Sequence, residues 1–216
     1  MNAPAPDLRT DPHSLAKLPL FPLQSVLFPG AQLQLRVFET RYLDLVSRCL
    51  REQQPFGAIC LRQGHEVRSA DDEAVLLETT GVLARLEEVD AEQAGVLRVR
   101  CIGTQRFEID EPLQQDDGLW TARAWLIDDD SVVAPPESML ATVRALANAI
   151  GALERKGGSP FVKPYRFDEA GWVANRWCEL LPISLAAKQK LMALEDPQMR
   201  LRLVDEYLRG KGVVSG

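Results

Sequence analysis

The chain has 216 residues, 46% hydrophobic and 26% charged, with 25 basic against 31 acidic side chains and a net charge of −6. These proportions exclude a disordered or fibrous chain and allow a substantial core, in one domain with a smaller companion. Acids and bases interleave along an acidic chain, which argues against nucleic acid as a partner.

Residues 1–16, with Pro4, Pro6 and Pro12 among polar residues, read as a disordered lead-in. The apolar run LPLFPLQSVLFPG follows at 18–30. Asp7 and Asp11 beside Arg9 do not make the basic start of a secretory signal, and Pro19, Pro22 and Pro29 break any helix through the run. No window reaches the ~18 uncharged apolar residues of a membrane span. The chain therefore reads as soluble and cytoplasmic, and the run as part of the folded protein. Pro19 and Pro22 place an extended segment over 17–28 at a sheet edge, or where its N–H groups point outward. Pro29-Gly30 is a turn, because proline sets the first turn dihedral and glycine accepts positive φ.

Gln32-Leu33-Gln34-Leu35-Arg36-Val37 then alternates at period two, as a half-buried strand does. Tyr42, Leu45, Val46 and Cys49 fall at helical spacing and predict one amphipathic helix from about Glu39 to Gln53, stopped by Pro55. From Phe56 to Ile127 strands return as FGAICL, AVLLET, GVLARLEEV, GVLRVRCI, QRFEI and WTARAWLI, separated by turn residues. Six or more short strands around one early helix predict a small closed or partly closed barrel over 17–130.

Asp128-Asp129-Asp130-Ser131 reads as a solvated linker. Helical patterns fill 131–216: one after Pro135-Pro136 to about Arg155, one from Asp168 to Leu181, one capped by Ser184, and one opened by Asp196-Pro197. The class is α+β, a β-rich half followed by a four-helix half.

Catalytic motifs are missing from the sequence. Gly210-Lys211-Gly212 is not a phosphate-binding loop, and neither a Gly-x-Gly-x-x-Gly turn nor a Gly-x-Ser-x-Gly elbow occurs. Ser184 and Lys188 lie four apart and read as a helix cap and a surface lysine rather than as a nucleophile and its base. Cys49, Cys60, Cys101 and Cys178 are widely spaced in apolar contexts and read as small buried hydrophobes in a reducing cytoplasm. With two histidines, His13 and His65, no metal cluster is expected, and no cofactor.

Binding is what remains. Trp120 and Trp125 differ by five along a strand and point to opposite faces. Trp172 and Trp177 sit well apart around one helix, so one faces the bundle while the other looks elsewhere. Phe21, Phe28, Phe38 and Tyr42 cluster around the strand–turn–strand–helix unit. Packing is the ordinary role of all these rings; exposed together they would suit capture of apolar peptide.

LPLFPLQSVLFPG, LQLRVFETRY leading into a helix, and FGAICL with Gly64-x-Glu66-Val67 together resemble the N-terminal domain of ATP-dependent Lon proteases. GVLARLEEV, GVLRVRCIGTQRFEI with Gly103, Arg106 and Phe107, and ANRWCELLPISLAAKQKLMALEDPQMRLRLV continue the likeness. It runs from about Lys17 to Leu208 and is looser over 110–170. The resemblance implies a PUA-like β pseudo-barrel followed by a helical bundle, serving as a substrate-recognition module for unfolded polypeptides. The ATPase and Ser-Lys peptidase of those proteases have no counterpart in the sequence, so the chain looks like a stand-alone Lon N-terminal domain protein without catalytic activity.

The expectation is a non-catalytic, adaptor-like module for unfolded or apolar polypeptide segments, working beside a protease or chaperone, with a groove between barrel and bundle. Its candidate contacts are Phe21, Phe28, Phe38, Tyr42, Trp172 and Trp177. The alternative is an RNA- or small-ligand-binding PUA-like domain, which would need a basic stripe from Arg36, Arg41, Arg98, Arg100 and Arg106. No membrane partner is expected.

Overall fold

A computed structural model describes residues 13–63, 75–158 and 161–214. The first twelve residues of the expected tail, His65, and the Gly64-x-Glu66-Val67 motif lie outside that range. The chain divides into two compact units, residues 1–27 with 33–128, and residues 28–32 with 129–216.

The first unit holds β1 (Ser14–Leu23), β2 (Gln32–Val37), α1 (Thr40–Glu52), β3 (Phe56–Gln63), β4 (Leu76–Gln93), β5 (Val96–Gln114) and β6 (Trp120–Leu126). β1 takes in Ser14–Ala16, the last three residues of the expected tail. The sheet runs β2-β5-β4-β3-β1-β6, and β6 also pairs with β5. Five strands thus close on themselves, with β2 outside the ring beside β5. β1 and β3 are parallel; β3–β4, β4–β5, β5–β6 and β1–β6 are antiparallel. Closure leaves few free edges, as in small barrels.

Leu20, Ile59, Leu83, Phe107 and Ala124 lie in the barrel core. The sequence breaks 76–89 at Gly81 and 95–109 at Gly103, yet each segment continues as one long strand. Packing explains the first. A Cβ on Gly81 would lie 2.5 Å from Cζ of Phe107 and 2.6 Å from the carbonyl oxygen of Ala58. The glycine is there for close approach of ring and backbone, not for a turn. Gly103 pairs with Ala84 where the β4–β5 register shifts, so it marks a bulge within one strand.

α1 buries Tyr42, Leu45, Val46 and Cys49, the face its spacing predicts. It ends at Gln53, which takes the left-handed conformation (φ 52°) and donates its N–H to the Cys49 carbonyl.

The second unit holds a short 3-10 turn (Glu137–Met139), α2 (Leu140–Arg155), α3 (Ala170–Leu180), α4 (Leu185–Ala193) and α5 (Pro197–Gly210). Ser184 accepts a hydrogen bond from the Ala187 N–H at 3.2 Å, and the Asp196 carboxylate accepts from Gln198 and Met199. α3 departs from an amphipathic pattern. Every residue from Ala170 to Cys178 is buried, so it is the central helix, touching α2, α4 and α5.

Several of its buried polar groups are matched internally. Arg200 forks onto Asp130 at 2.6 and 3.0 Å and donates to Asn175 Oδ1 at 3.1 Å and to the Leu191 carbonyl at 2.9 Å. Asp130 is therefore the counter-ion of a buried arginine, not a member of a solvated linker. Nothing local to 128–131 signals this, because its partner lies 70 residues away. Thr142 donates to Asp205, which also accepts from Arg209 Nε at 2.7 Å. Among the described residues no helix is long and apolar enough to cross a membrane.

Candidate functional site

The structure separates the six candidate rings. Phe21 of β1 stacks on Tyr42 of α1 with centroids 4.1 Å apart and 22° between planes, and Phe56 lies 5.8 Å from Phe21. All three are buried and fasten the helix to the barrel. Phe28 is buried as well. Trp172 is enclosed by Phe161, Tyr165 and Phe167 at 6.3, 5.9 and 5.3 Å. Trp177 sits elsewhere around α3 and donates its indole N–H to the Thr142 carbonyl at 3.1 Å. Both tryptophans thus pack inside the second unit, which an all-round buried helix requires. Phe38, at the end of β2, is 52% exposed. Of the six, it is the ring that meets solvent.

The Phe-Pro-Gly stretch has a different role. Phe28 to Ala31 form a type II turn, closed by the Ala31 N–H on the Phe28 carbonyl at 3.0 Å with Gly30 at φ 76°. Arg176, whose side chain is buried, donates to the carbonyls of Gly30 and Pro29 at 2.7 and 2.8 Å. A Cβ on Gly30 would stand 3.1 Å from Arg176 Nη1, so glycine serves both the dihedral and the approach. Glu179, 2.5 Å from the same guanidinium, is pushed up to about 7 by burial, with Arg176 drawing it back. Burial likewise lowers Arg176 itself. An arginine in the middle of a helix gives no sequence sign of such burial.

The arginines proposed for a basic stripe are engaged where they stand. Arg36 meets Glu92 at 3.2 Å, Arg98 meets the same carboxylate at 3.8 Å, and Arg100 meets Glu88 at 2.5 Å. Arg41 binds Glu39 at 2.6 Å and the Gly118 carbonyl at 2.9 Å. Arg106 is buried, with Nη2 on the Asp128 carbonyl at 3.3 Å. No observation favours the RNA reading. Lys188 donates to the Glu179 carbonyl at 3.2 Å, while the Ser184 hydroxyl accepts from the Ala187 N–H as a helix cap.

The first unit contains a cavity of about 510 Å³ that the sequence did not disclose. Its apolar wall comes from Leu15, Leu18, Leu83 and Leu126, the inner faces of β1, β4 and β6. Leu18 and Leu83 belong to the barrel core, so the cavity is an open end of that core. Lys17, Arg48 and Glu52 bring charge to its lining. Cys49 lines it too, its thiol raised by burial, then lowered by Arg48 and raised by Glu52. A half-open apolar surface bordered by a few charges suits binding.

Residues 17–210 match the family described as the ATP-dependent protease La (LON) substrate-binding domain. The crystal structure of a Lon N-terminal domain protein from Xanthomonas campestris is similar at TM-score 0.69 and 32% identity, covering 89% of this chain and 99% of that one. The N-terminal domain of the Mycobacterium avium complex Lon protease shares the fold at TM-score 0.60 and 14% identity, over 89% and 98% of the two chains. Lon protease of Parabacteroides distasonis is 25% identical over 189 residues, 85% of this chain and 22% of its own length. Lon protease of Paraburkholderia phytofirmans is 25% identical over 216 residues, 97% and 26% respectively. The chain thus spans about a quarter of the length of these curated relatives.

Proposed function

The chain belongs to the family of LON substrate-binding domains, and from that premise we propose that it is a non-catalytic module that holds unfolded or apolar polypeptide segments in the cytoplasm, as an adaptor to a protease or chaperone. The observation that carries the reading is the family match over 17–210, which covers the substrate-binding part of the proteases. The apolar cavity of the first unit, bordered by Lys17, Arg48 and Glu52, supports it. Four free, buried cysteines suit a reducing compartment. Phe38 adds an exposed ring for an apolar contact.

Fluorescence anisotropy with a labelled, permanently unfolded polypeptide, such as reduced and carboxymethylated α-lactalbumin, tests the proposal. Saturable binding in the micromolar range, about −8 kcal/mol, is expected without added nucleotide. A flat titration to high micromolar concentration overturns it.

A further inference from the structure

β1 has unequal neighbours. It pairs with β6 from Ser14 to Leu20, but with β3 only from Leu20 to Leu23. β3 starts at Phe56, because the chain leaves α1 at Gln53 and passes through Gln54 and Pro55 before it can enter the sheet. From Leu15 to Pro19, then, β1 has a strand on one side and none on the other among the described residues. The closed barrel has a short gap there, and the cavity lies in it, lined by both Ala16–Leu18 and Gln54-Pro55.

The β1–β6 register shifts within this stretch. Leu15 faces Ala124 and Leu18 faces Ala122, so one extra residue stands on β1 at Ala16-Lys17. A bulge of this kind turns a side chain out of the regular alternation. Lys17 and Arg48 line the gap, and neither forms an ion pair among the described residues. Glu52, one turn beyond Arg48, brings one negative charge against these two positive ones.

We propose, building on the polypeptide-binding reading above, that this open edge of β1 takes up an extended polypeptide segment as an added strand, with a large apolar side chain in the cavity and a carboxylate against Lys17 and Arg48. Backbone pairing along Leu15–Leu18, short of Pro19 with its missing N–H, supplies affinity that is indifferent to sequence, and the cavity selects the side chain. The volume falls within the ~300–1,000 Å³ of ordinary binding pockets, enough for an aromatic or branched residue. Charge decides between occupants. A second copy pairing through the same edge would set Lys17 and Arg48 against their equals, and lysine on an edge strand is a common guard against such pairing. An acid-bearing strand meets the opposite sign.

The experiment compares three short labelled peptides by fluorescence anisotropy. One has a central Phe flanked by Asp within a β-prone sequence. The second has Lys in place of Asp. The third repeats the first with alternate backbone nitrogens methylated, which blocks strand pairing and leaves the side chains intact. The second and third are expected to bind about tenfold or more weakly than the first. In Lys17→Glu/Arg48→Glu the preference between the Asp and Lys peptides is expected to reverse. A reversal is a readout that partial loss of folded protein cannot imitate, and a circular dichroism melt checks the fold. Equal binding of the methylated peptide, or an unchanged preference in the double variant, overturns the assignment. If carboxymethylated α-lactalbumin binds while either of those results is seen, only this site falls. If it does not bind at all, the broader reading falls with it.

Discussion

Arg176 reaches across 146 residues of sequence to donate a hydrogen bond to the carbonyl of Gly30 at 2.7 Å. A second N–H of the same guanidinium meets Pro29 at 2.8 Å, so one buried cation holds both outward carbonyls of the turn. The guanidinium also lies over Phe161, 5.3 Å from the ring centroid. Arg176→Met keeps much of the bulk but strands Glu179 and the two carbonyls. Urea unfolding is expected to register a loss of about 3–5 kcal/mol, the usual effect of removing one partner of a buried pair. A loss under about 1 kcal/mol would show that the turn does not depend on this residue.

Glu179 links the same cluster to pH. Its carboxyl is pushed up to about 7, against an ordinary 4.5, so the folded chain keeps a proton that the unfolded chain has released between those values. The native state binds more protons in that window, and stability from this group falls as pH rises. It is fully present below about 4.5 and gone above about 7. Glu179→Gln removes the titration. Between pH 5 and 7.5 the wild type should lose on the order of 1–3 kcal/mol relative to the variant. Parallel urea-midpoint profiles for the two proteins would contradict this.

Phe21 and Phe38 separate packing from contact. Phe21→Ala opens a hole between β1 and α1 and is expected to cost about 3–5 kcal/mol. Phe38→Ala, at a ring 52% exposed, should leave the melting temperature nearly unchanged, within roughly 0.5 kcal/mol. If Phe38 touches bound polypeptide, anisotropy titrations of that variant will show weaker binding despite its intact fold.

Cys49 differs from the other thiols in position. It lines the cavity, whereas the Cys101 and Cys178 thiols are pushed up to about 12 by burial. Alkylation of the native chain at pH 8, read by mass spectrometry, should therefore mark Cys49 before Cys101 and Cys178. Earlier labelling of either of those two would mean that the core opens faster than the cavity admits reagent.

What the sequence made legible was whatever is governed by neighbours along the chain. The α1 stripe of Tyr42, Leu45, Val46 and Cys49, the Ser184 and Asp196 caps and the Pro29-Gly30 turn all follow from spacings of a few residues, and all are present. Gly81 misled because a glycine that admits a ring from the next strand looks, in one dimension, like a glycine that turns the chain. Asp130 misled, and the burial of Arg176 and Arg200 went unsignalled, because charge reads as surface until its partner is known, and those partners are 70 to 147 residues away. The cavity could not be read at all. It arises from the different lengths over which β6 and β3 accompany β1, a property of pairing registers rather than of any residue type.

The five residues 28–32 belong with 129–216, although the strands on either side of them belong to the barrel. No single cut therefore yields both units whole: severing the backbone after Asp128 leaves the helical fragment without the Pro29-Gly30 carbonyls that its innermost arginine was built around. The helical half is consequently not a portable cassette. A gene fusion that borrowed the bundle would have to borrow 28–32 with it, and recombination after Asp128 would deliver a bundle missing its keystone.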